Sequence, residues 1–114
     1  MKTLIALAAI FTLSACAAQE SVPRADADAE QRGFEIVQSN CGSCHAVGRT
    51  GDSTAPEAPP FRRLSENYRV ANLEEALAEG ISVGHPAMPQ FEFSPEDVDA
   101  LVAYLQSIQD APAQ

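Results

Sequence analysis

The stretch Cys41-Gly42-Ser43-Cys44-His45 decides the fold and the chemistry of this chain of 114 residues. It separates two thiols by two residues and places an imidazole directly after the second thiol. This order is typical of the attachment site of a c-type haem. The thiols add across the two vinyl groups of the porphyrin, and the histidine donates a ring nitrogen to the iron. The pattern predicts one covalent haem c, with Cys41 and Cys44 as its thioethers and His45 as an iron ligand.

Two other chemistries use a Cys-x-x-Cys pair, namely a redox dithiol and half of a zinc site. A zinc site needs further Cys or His ligands, and outside the motif the chain has only Cys16 and His85. A redox dithiol commonly lies beside a βαβ pattern, and none surrounds this motif. Haem attachment is therefore the preferred interpretation, and a dithiol oxidoreductase or metallochaperone is the alternative.

The N-terminus has the composition of a secretory signal over Met1 to Ala15. Lys2 provides the positive start, and the apolar run from Leu4 to Leu13 is too short to span a bilayer. We therefore expect an exported protein from which residues 1–15 are removed, and export suits a haem attached outside the cytoplasm.

The signal ends in Leu13-Ser14-Ala15-Cys16, which resembles the lipobox of bacterial lipoproteins. In that motif the cysteine becomes the new N-terminus and carries lipid, which explains a leftover thiol in an exported protein. Cleavage a few residues later, giving a soluble periplasmic protein, is the alternative. The resemblance implies lipidation at Cys16 and a membrane-anchored protein of the bacterial periplasm. The residue after the cysteine is Ala17 rather than Asp, and in bacterial lipoproteins this favours the outer membrane over the inner membrane.

Residues 16–27 are expected to form the lipidated start and a flexible tether, because they have few large apolar residues, a proline and alternating Ala and Asp. The length of the remainder suits one small domain. We place this domain at residues 28–110 and a short C-terminal tail at residues 111–114.

The mature part of the chain is strongly acidic. Once Lys2 is removed with the signal, six Arg stand against sixteen Asp and Glu, a formal net charge of −10. This balance argues against binding to nucleic acid or to an anionic membrane surface, since both attract Lys and Arg. It permits docking to a redox partner with a basic patch, although acidity also serves solubility alone.

Periodicity and composition predict an all-α fold of three to four helices and loops packed around the haem. The first helix is expected from about Ala27 to Asn40, where it runs into the motif. The segment between Cys44 and Asn67 contains several Gly and Pro residues and is expected to be mostly loop.

Two further helices have recognisable start signals. Asn72, with Glu75 three residues later, predicts a capped helix that ends at Gly80. Ser94 followed by Pro95 predicts the start of the last helix. The apolar residues of that helix repeat at the helical period and are expected to form its buried face: Val98, Leu101, Val102, Leu105 and Ile108.

The segment Gly84-His85-Pro86-Ala87-Met88-Pro89 contains the candidates for the sixth iron ligand. Outside the motif the mature chain has one Met, one His and no Lys. Pro86 and Pro89 disfavour helix, so a stiff loop is expected to lay a side chain against the haem. Met88 is the preferred ligand because a thioether opposite His raises the reduction potential. His85 is the alternative.

The order of first helix, C-x-x-C-H, Pro-containing loop, Met loop and last helix resembles a class I cytochrome c over residues 28–110. The resemblance implies that Gly33 lets the first helix cross closely against Tyr104. It also implies that a proline carbonyl, of Pro59 or the adjacent Pro60, accepts a hydrogen bond from His45 Nδ1. The mature chain has no Lys, so the lysine-ring docking surface of the mitochondrial type is not expected.

The resemblance implies a monomeric one-electron carrier rather than an enzyme. It would cycle Fe(II)/Fe(III) between a respiratory or dehydrogenase donor and a terminal acceptor. The alternative is a haem protein with a displaceable sixth ligand that acts as a small-molecule sensor or peroxidase-like enzyme. In either case seven apolar residues are expected to pack around the haem: Phe34, Phe61, Leu64, Leu77, Ile81, Phe91 and Phe93.

Overall fold

The computed structural model describes residues 22–80 and 87–110, and the regular structure in these ranges is entirely helical. The expected all-α fold is therefore confirmed. The elements in chain order are helix α1 (Val22–Asn40), the 3₁₀ helices Phe61–Glu66 and Val70–Asn72, helix α2 (Leu73–Glu79) and helix α3 (Pro95–Ser107).

Helix α1 begins at Val22, earlier than the predicted start near Ala27. Residues 22–27 were expected to belong to the tether, and the structure corrects this part of the prediction. Residues 25–28 are exposed, so burial does not account for the helix at these positions. Ala25 and Ala27 lie in this stretch, and Ala has the highest helix propensity, so a helix already formed against the core extends through it. Residues 16–21 lie outside the described residues.

Helices α1 and α3 cross where Gly33 meets Tyr104. A Cβ atom at residue 33 would lie 2.6 Å from the Tyr104 Cβ and would overlap the carbonyl oxygen of Ala100. Only a residue without a side chain permits this approach. The Phe34 and Tyr104 rings then pack with centroids 5.4 Å apart, and the Tyr104 hydroxyl donates a hydrogen bond to the Val47 carbonyl at 2.7 Å. The close crossing implied by the class I resemblance is present.

The buried face of α3 is the one predicted from its periodicity. Val98, Leu101, Leu105 and Ile108 are at most 4 % exposed, whereas Val102 is only partly buried. Two further α3 residues, Ala100 and Tyr104, are also buried because the close crossing with α1 widens the contact. The core continues into the 3₁₀ helices and α1 through Val37, Phe61, Leu64 and Val70.

The capping predictions have mixed outcomes. The Ser94 hydroxyl accepts a hydrogen bond from the Asp97 amide at 3.2 Å, and Pro95 opens α3, as expected. Gly80 ends α2 with a φ of 67°, a left-handed conformation that favours glycine. Asn72 precedes α2, but its side chain makes no capping hydrogen bond. Its backbone is already helical because it closes the preceding 3₁₀ turn, whereas a capping residue is typically extended.

The segment between Cys44 and Asn67 is only partly loop. Residues 44–60 have no regular structure, but Phe61–Glu66 form a 3₁₀ helix that was not predicted. Side chains three residues apart lie on the same side of a 3₁₀ helix, and here these are the buried Phe61 and Leu64. Burial of this pair explains why the segment is ordered after a run of prolines.

An exposed ion pair joins α1 to α3. Arg32 donates from Nε and Nη2 to Asp97 Oδ1 at 2.9 and 2.7 Å, and the Ser94 hydroxyl donates to Asp97 Oδ2 at 3.0 Å. The hydrogen bond from Arg32, followed by that from Ser94, lowers the pKa of Asp97. Such a carboxyl stabilises the fold at pH values above its unfolded pKa of about 4, and the stabilisation is lost as the pH falls through the folded pKa.

We therefore expect Asp97→Asn to lower the Tm modestly at neutral pH, because the pair is exposed and screened by solvent. The difference in Tm from the wild type should narrow as the pH falls below about 4. Asp99→Asn is the matched control, because Asp99 is exposed on the same helix and makes no hydrogen bond or ion pair with the described residues. A Tm difference for Asp97→Asn that is unchanged by acid would contradict this role.

Candidate haem site

The C-x-x-C-H motif lies at the C-terminal end of α1, which ends at Asn40. The Cys41 amide donates to the Val37 carbonyl at 2.8 Å, and the His45 amide donates to the Cys41 carbonyl at 3.0 Å. The motif is therefore a turn that continues α1. Cys41 is half-buried and Cys44 is exposed, and the two do not form a disulfide with each other.

The loop after the motif folds back onto it. The Ala55 amide donates to the Cys44 carbonyl at 3.1 Å, and the Phe61 amide donates to the Ala46 carbonyl at 2.9 Å. The Ser53 hydroxyl accepts a hydrogen bond from the Ala46 amide at 2.9 Å. These bonds fix the distance between the motif and the proline segment that follows it.

His45 is held by the backbone of that proline segment. Its Nδ1 lies 2.8 Å from the carbonyl oxygen of Pro59. A carbonyl only accepts, so Nδ1 carries the hydrogen and Nε2 keeps a free lone pair. The Pro60 carbonyl instead accepts a hydrogen bond from the Arg63 amide at 3.0 Å. The Phe61 ring flanks the imidazole with a centroid distance of 4.7 Å. Of the two adjacent prolines, Pro59 makes the contact that the resemblance implied.

Two cavities meet at the motif. The larger has a volume of about 360 Å³ and the smaller about 290 Å³. Both are lined by Cys41, His45, Met88 and Phe91, whereas Cys44 lines only the smaller one. The structure thus brings together the motif and Met88, which is 43 residues after His45 in the sequence. His85 lies outside the described residues.

The walls of the larger cavity are mostly apolar. Phe34 was expected here, but it lines neither cavity and packs against Tyr104 instead, because it faces the α1–α3 crossing. Ile81 lies outside the described residues. The other five predicted apolar residues line the larger cavity: Phe61, Leu64, Leu77, Phe91 and Phe93.

These residues fit a covalently attached haem. The lining residues of the two cavities include two thiols, an imidazole whose Nε2 keeps a free lone pair, and a thioether. Imidazole and thioether are the axial ligands that raise a haem potential, and an apolar wall lowers the local dielectric and excludes water. The chemistry of the donor set and the apolar lining therefore agree.

The environment of Cys41 does not suit a redox dithiol. Burial raises the pKa of the Cys41 thiol to about 11. Reactive cysteines of dithiol oxidoreductases have lowered pKa values, because the thiolate is the nucleophile. At neutral pH Cys41 is protonated, which argues against the dithiol alternative.

Two polar residues of the larger cavity were missed by the sequence reasoning. Tyr68 and Asn72 both line it, and Asn72 had been interpreted only as a helix cap. Tyr68 lies between the two 3₁₀ helices and Asn72 is the last residue of the second one, with the extended backbone of Arg69 between them. An isolated Tyr between two predicted helices is the signal that could have identified Tyr68.

The comparison with protein families bears on this site. A family model described as "Cytochrome C oxidase, cbb3-type, subunit III" matches residues 28–105. The chain belongs to the cytochrome c family. The match covers the motif, the Met loop and nearly all of α3, so it extends over the whole site described above.

Three curated relatives place this cytochrome more closely. Cytochrome c6 of Picosynechococcus sp. is 31 % identical, with 92 % of each chain covered. A "Cytochrome c-553-like" protein of Synechocystis sp. is 27 % identical, covering 91 % of this chain and 90 % of the relative. Cytochrome c oxidase subunit 2 of Alkalihalophilus pseudofirmus is 34 % identical over 68 % of this chain, which spans only 25 % of that relative. No solved structure matches this cytochrome with statistical significance.

Family membership confirms the expected cofactor and the general role. This cytochrome carries covalent haem c, and its single C-x-x-C-H motif provides for one haem. It is a small electron-transfer protein rather than an enzyme. Among the described residues no helix is long and apolar enough to cross a membrane.

Proposed function

We propose that this cytochrome is a periplasmic one-electron carrier with His45 and Met88 as the axial ligands of its haem iron and Cys41 and Cys44 as the thioethers. The observation that carries the proposal is that all four residues line the cavities at the motif. Within residues 22–80 and 87–110 there is no second His or Met and no Lys to compete with Met88.

Each of these residues has a separate task. The haem supplies the one-electron Fe(II)/Fe(III) couple. Cys41 and Cys44 retain it covalently. The Pro59 carbonyl fixes the tautomer and the ring orientation of His45 and increases the basicity of Nε2. Met88 contributes a soft thioether that favours Fe(II) and so raises the reduction potential.

Electron exchange with partners is proposed at the side of the haem nearest Cys44. Cys44 is exposed, and Pro56, Glu57 and Pro89 are exposed around the smaller cavity. The side chains of Cys44, Pro56 and Pro89 are short or rigid, which permits close approach of a partner. The mature net charge of −10 favours partners with a basic docking patch.

The partners are proposed to be a respiratory or dehydrogenase donor and a terminal acceptor. The matching family and one relative are both named as subunits of cytochrome c oxidase, which supports an oxidase as the acceptor. Mixing reduced protein with candidate oxidases and following haem oxidation by stopped-flow absorbance tests this assignment.

A redox titration tests the carrier function itself. We expect a reversible one-electron Nernst curve and no binding of CO by the reduced protein, because Met88 occupies the sixth position. Rapid CO binding by the wild type would favour the sensor or peroxidase-like alternative. A two-electron curve without a change in haem absorbance would favour the dithiol alternative.

The N-terminal sequence is the basis for the proposed cellular location. Residues 1–15 would be removed, Cys16 would carry lipid, and the outer membrane is favoured over the inner. The support is the lipobox-like Leu13-Ser14-Ala15-Cys16, together with a charge of −10 that is repelled by anionic head groups. A lipid at Cys16, which lies outside the described residues, would then provide the anchor, with more than one acyl chain for stable attachment.

Replacing Cys16 by Ser tests the anchor. We expect the wild type to sediment with membranes and Cys16→Ser to appear as a soluble or unprocessed form, because the variant cannot accept lipid. The haem spectrum and the potential are the internal control and should not change. Wild-type protein that is fully soluble in the periplasm, with its N-terminus beyond Cys16, would contradict lipidation.

A further inference from the structure

The chain segment that follows Met88 is held against the C-terminal end of α2. Met88 to Phe93 have no regular structure, so contacts with other elements hold this segment in place. The Phe93 amide donates a hydrogen bond to the Leu77 carbonyl at 3.2 Å. Leu77 lies in the last turn of α2, where a carbonyl has no partner within the helix. The segment therefore satisfies a backbone acceptor that the helix itself leaves free.

Gly80, which ends α2, makes a second contact with this segment. Its φ of 67° is left-handed, and a Cβ atom at this position would lie 3.2 Å from the Phe91 carbonyl oxygen and 3.8 Å from the Glu92 Cβ. A distance of 3.2 Å is shorter than ordinary van der Waals contact, so the Phe91 carbonyl would have to move by a few tenths of an ångström. Glycine thus permits both the turn at the end of α2 and the close approach of the segment.

The same segment contributes two aromatic rings to the larger cavity. The rings of Phe91 and Phe93 stack with centroids 5.7 Å apart and planes 20° apart. Both residues line the larger cavity, whereas Glu92 between them is exposed. This alternation is that of an extended chain, in which every second side chain points to the same side. The backbone of residues 91–93 is therefore held by α2, and its two rings are held in the cavity lining.

The anchoring of Phe91 restricts Met88, because only two residues separate them. Three steps of extended chain span at most about 11 Å. One of the two residues is Pro89, whose ring fixes its own φ and disfavours a helical backbone at Met88. Pro89 and Gln90 are exposed, whereas Met88 is partly buried and lines both cavities. The place where Phe91 is anchored therefore limits where the Met88 thioether can lie.

We infer that the C-terminal end of α2 positions Met88 as the sixth ligand of the haem iron, with Gly80 and the hydrogen bond between Leu77 and Phe93 as the anchor points. The inference rests on the ligation proposed above. Gly80 is a positioning residue, because it acts on Met88 through Phe91. Weaker anchoring raises the fraction of molecules in which the thioether has left the iron. An external ligand then binds with a higher apparent affinity, in proportion to that fraction.

The test is imidazole binding by the oxidised, haem-loaded variant Gly80→Ala. Alanine strains the left-handed backbone and places a Cβ atom against the Phe91 carbonyl, and displacement of the segment relieves both. We expect imidazole to bind this variant about tenfold more tightly than the wild type, a factor that matches the cost of a left-handed alanine. The weak red charge-transfer band of the oxidised His/Met haem should decrease as well.

Gly51→Ala is the matched control. Gly51 also has a positive φ, of 89°, but a Cβ atom there would have no neighbour within 4 Å. This variant should lose a similar amount of stability, seen as a lower Tm, while its imidazole affinity stays at the wild-type value.

Gly80→Asn is the second variant, for the case that Gly80→Ala does not fold. Asparagine tolerates the left-handed backbone better than alanine. Its Cβ atom would still meet the Phe91 carbonyl, so its imidazole affinity should remain above that of the wild type.

Wild-type imidazole affinity in the folded Gly80 variants would overturn the inference, even if their Tm fell. An equal rise in Gly51→Ala would also overturn it, because a general loss of stability would then explain the effect. A wild-type protein that binds imidazole as tightly as Met88→Ala would instead refute the ligation by Met88 on which the inference rests.

Discussion

Met88→Ala is expected to leave the haem covalently attached while opening the iron to CO and cyanide and lowering the reduction potential. Cys41 and Cys44 make the attachment, so loss of the thioether does not release the haem. Axial ligands spread haem potentials over about 0.8 V. We therefore expect the largest potential change of any single variant discussed. The measurements are a redox titration and ligand-binding spectra of the reduced and oxidised forms.

Met88→Leu is the matched variant for this prediction. Leu retains most of the volume that Met88 contributes to the cavity lining but has no sulfur, so it separates ligation from packing. Both variants should lose the weak red charge-transfer band of oxidised His/Met haem. If Met88→Ala keeps the wild-type potential and a closed sixth site, Met88 is not the ligand, and His85→Ala becomes the next variant to test.

Gly33→Ala is expected to destabilise the fold by about 3 kcal/mol, at the upper end of the cost of overpacking. The added methyl would lie 2.6 Å from the Tyr104 Cβ and would overlap the Ala100 carbonyl oxygen, so α1 and α3 would have to separate. In an exposed helix the same change would stabilise by about 1 kcal/mol. A loss of stability would therefore indicate that the close crossing determines the effect, and a gain would indicate that helix propensity does. Denaturant unfolding of the haem-loaded protein gives the measurement.

Gly48→Ala provides the control for the crossing. A Cβ atom at residue 48 would have no neighbour within 4 Å. We expect its unfolding free energy to remain within about 0.5 kcal/mol of the wild type, as for most surface substitutions. Equal stabilities of Gly33→Ala and Gly48→Ala would mean that the helices do not approach as closely as described.

Features that depend on local chemistry could be predicted from the sequence. The C-x-x-C-H spacing carries its own geometry, and the cap at Ser94 depends only on the residues that follow it. The buried face of α3 follows from the helical period. The placement of Gly33 against Tyr104 came from a family resemblance, because the periodicity of one helix does not tell which residue of another helix it meets.

The features that escaped prediction depend on contacts distant in sequence or on competition between neighbouring elements. Helix α1 starts early because Ala-rich turns extend a helix that is anchored elsewhere. Asn72 does not cap α2 because the preceding 3₁₀ turn already holds its backbone. Phe34 packs against Tyr104 because the crossing of α1 and α3 brings the two rings together. Tyr68 lines the larger cavity because the segment between the two 3₁₀ helices places it there.

The most direct test of the account is the intact mass of the purified, acid-denatured protein after expression with a haem-attachment system. We predict that the wild type retains the mass of one haem and that Cys41→Ala/Cys44→Ala loses it, since thioethers survive denaturation and axial ligation does not. A wild-type chain that has the mass of the polypeptide alone after denaturation would contradict the covalent haem site at Cys41 and Cys44.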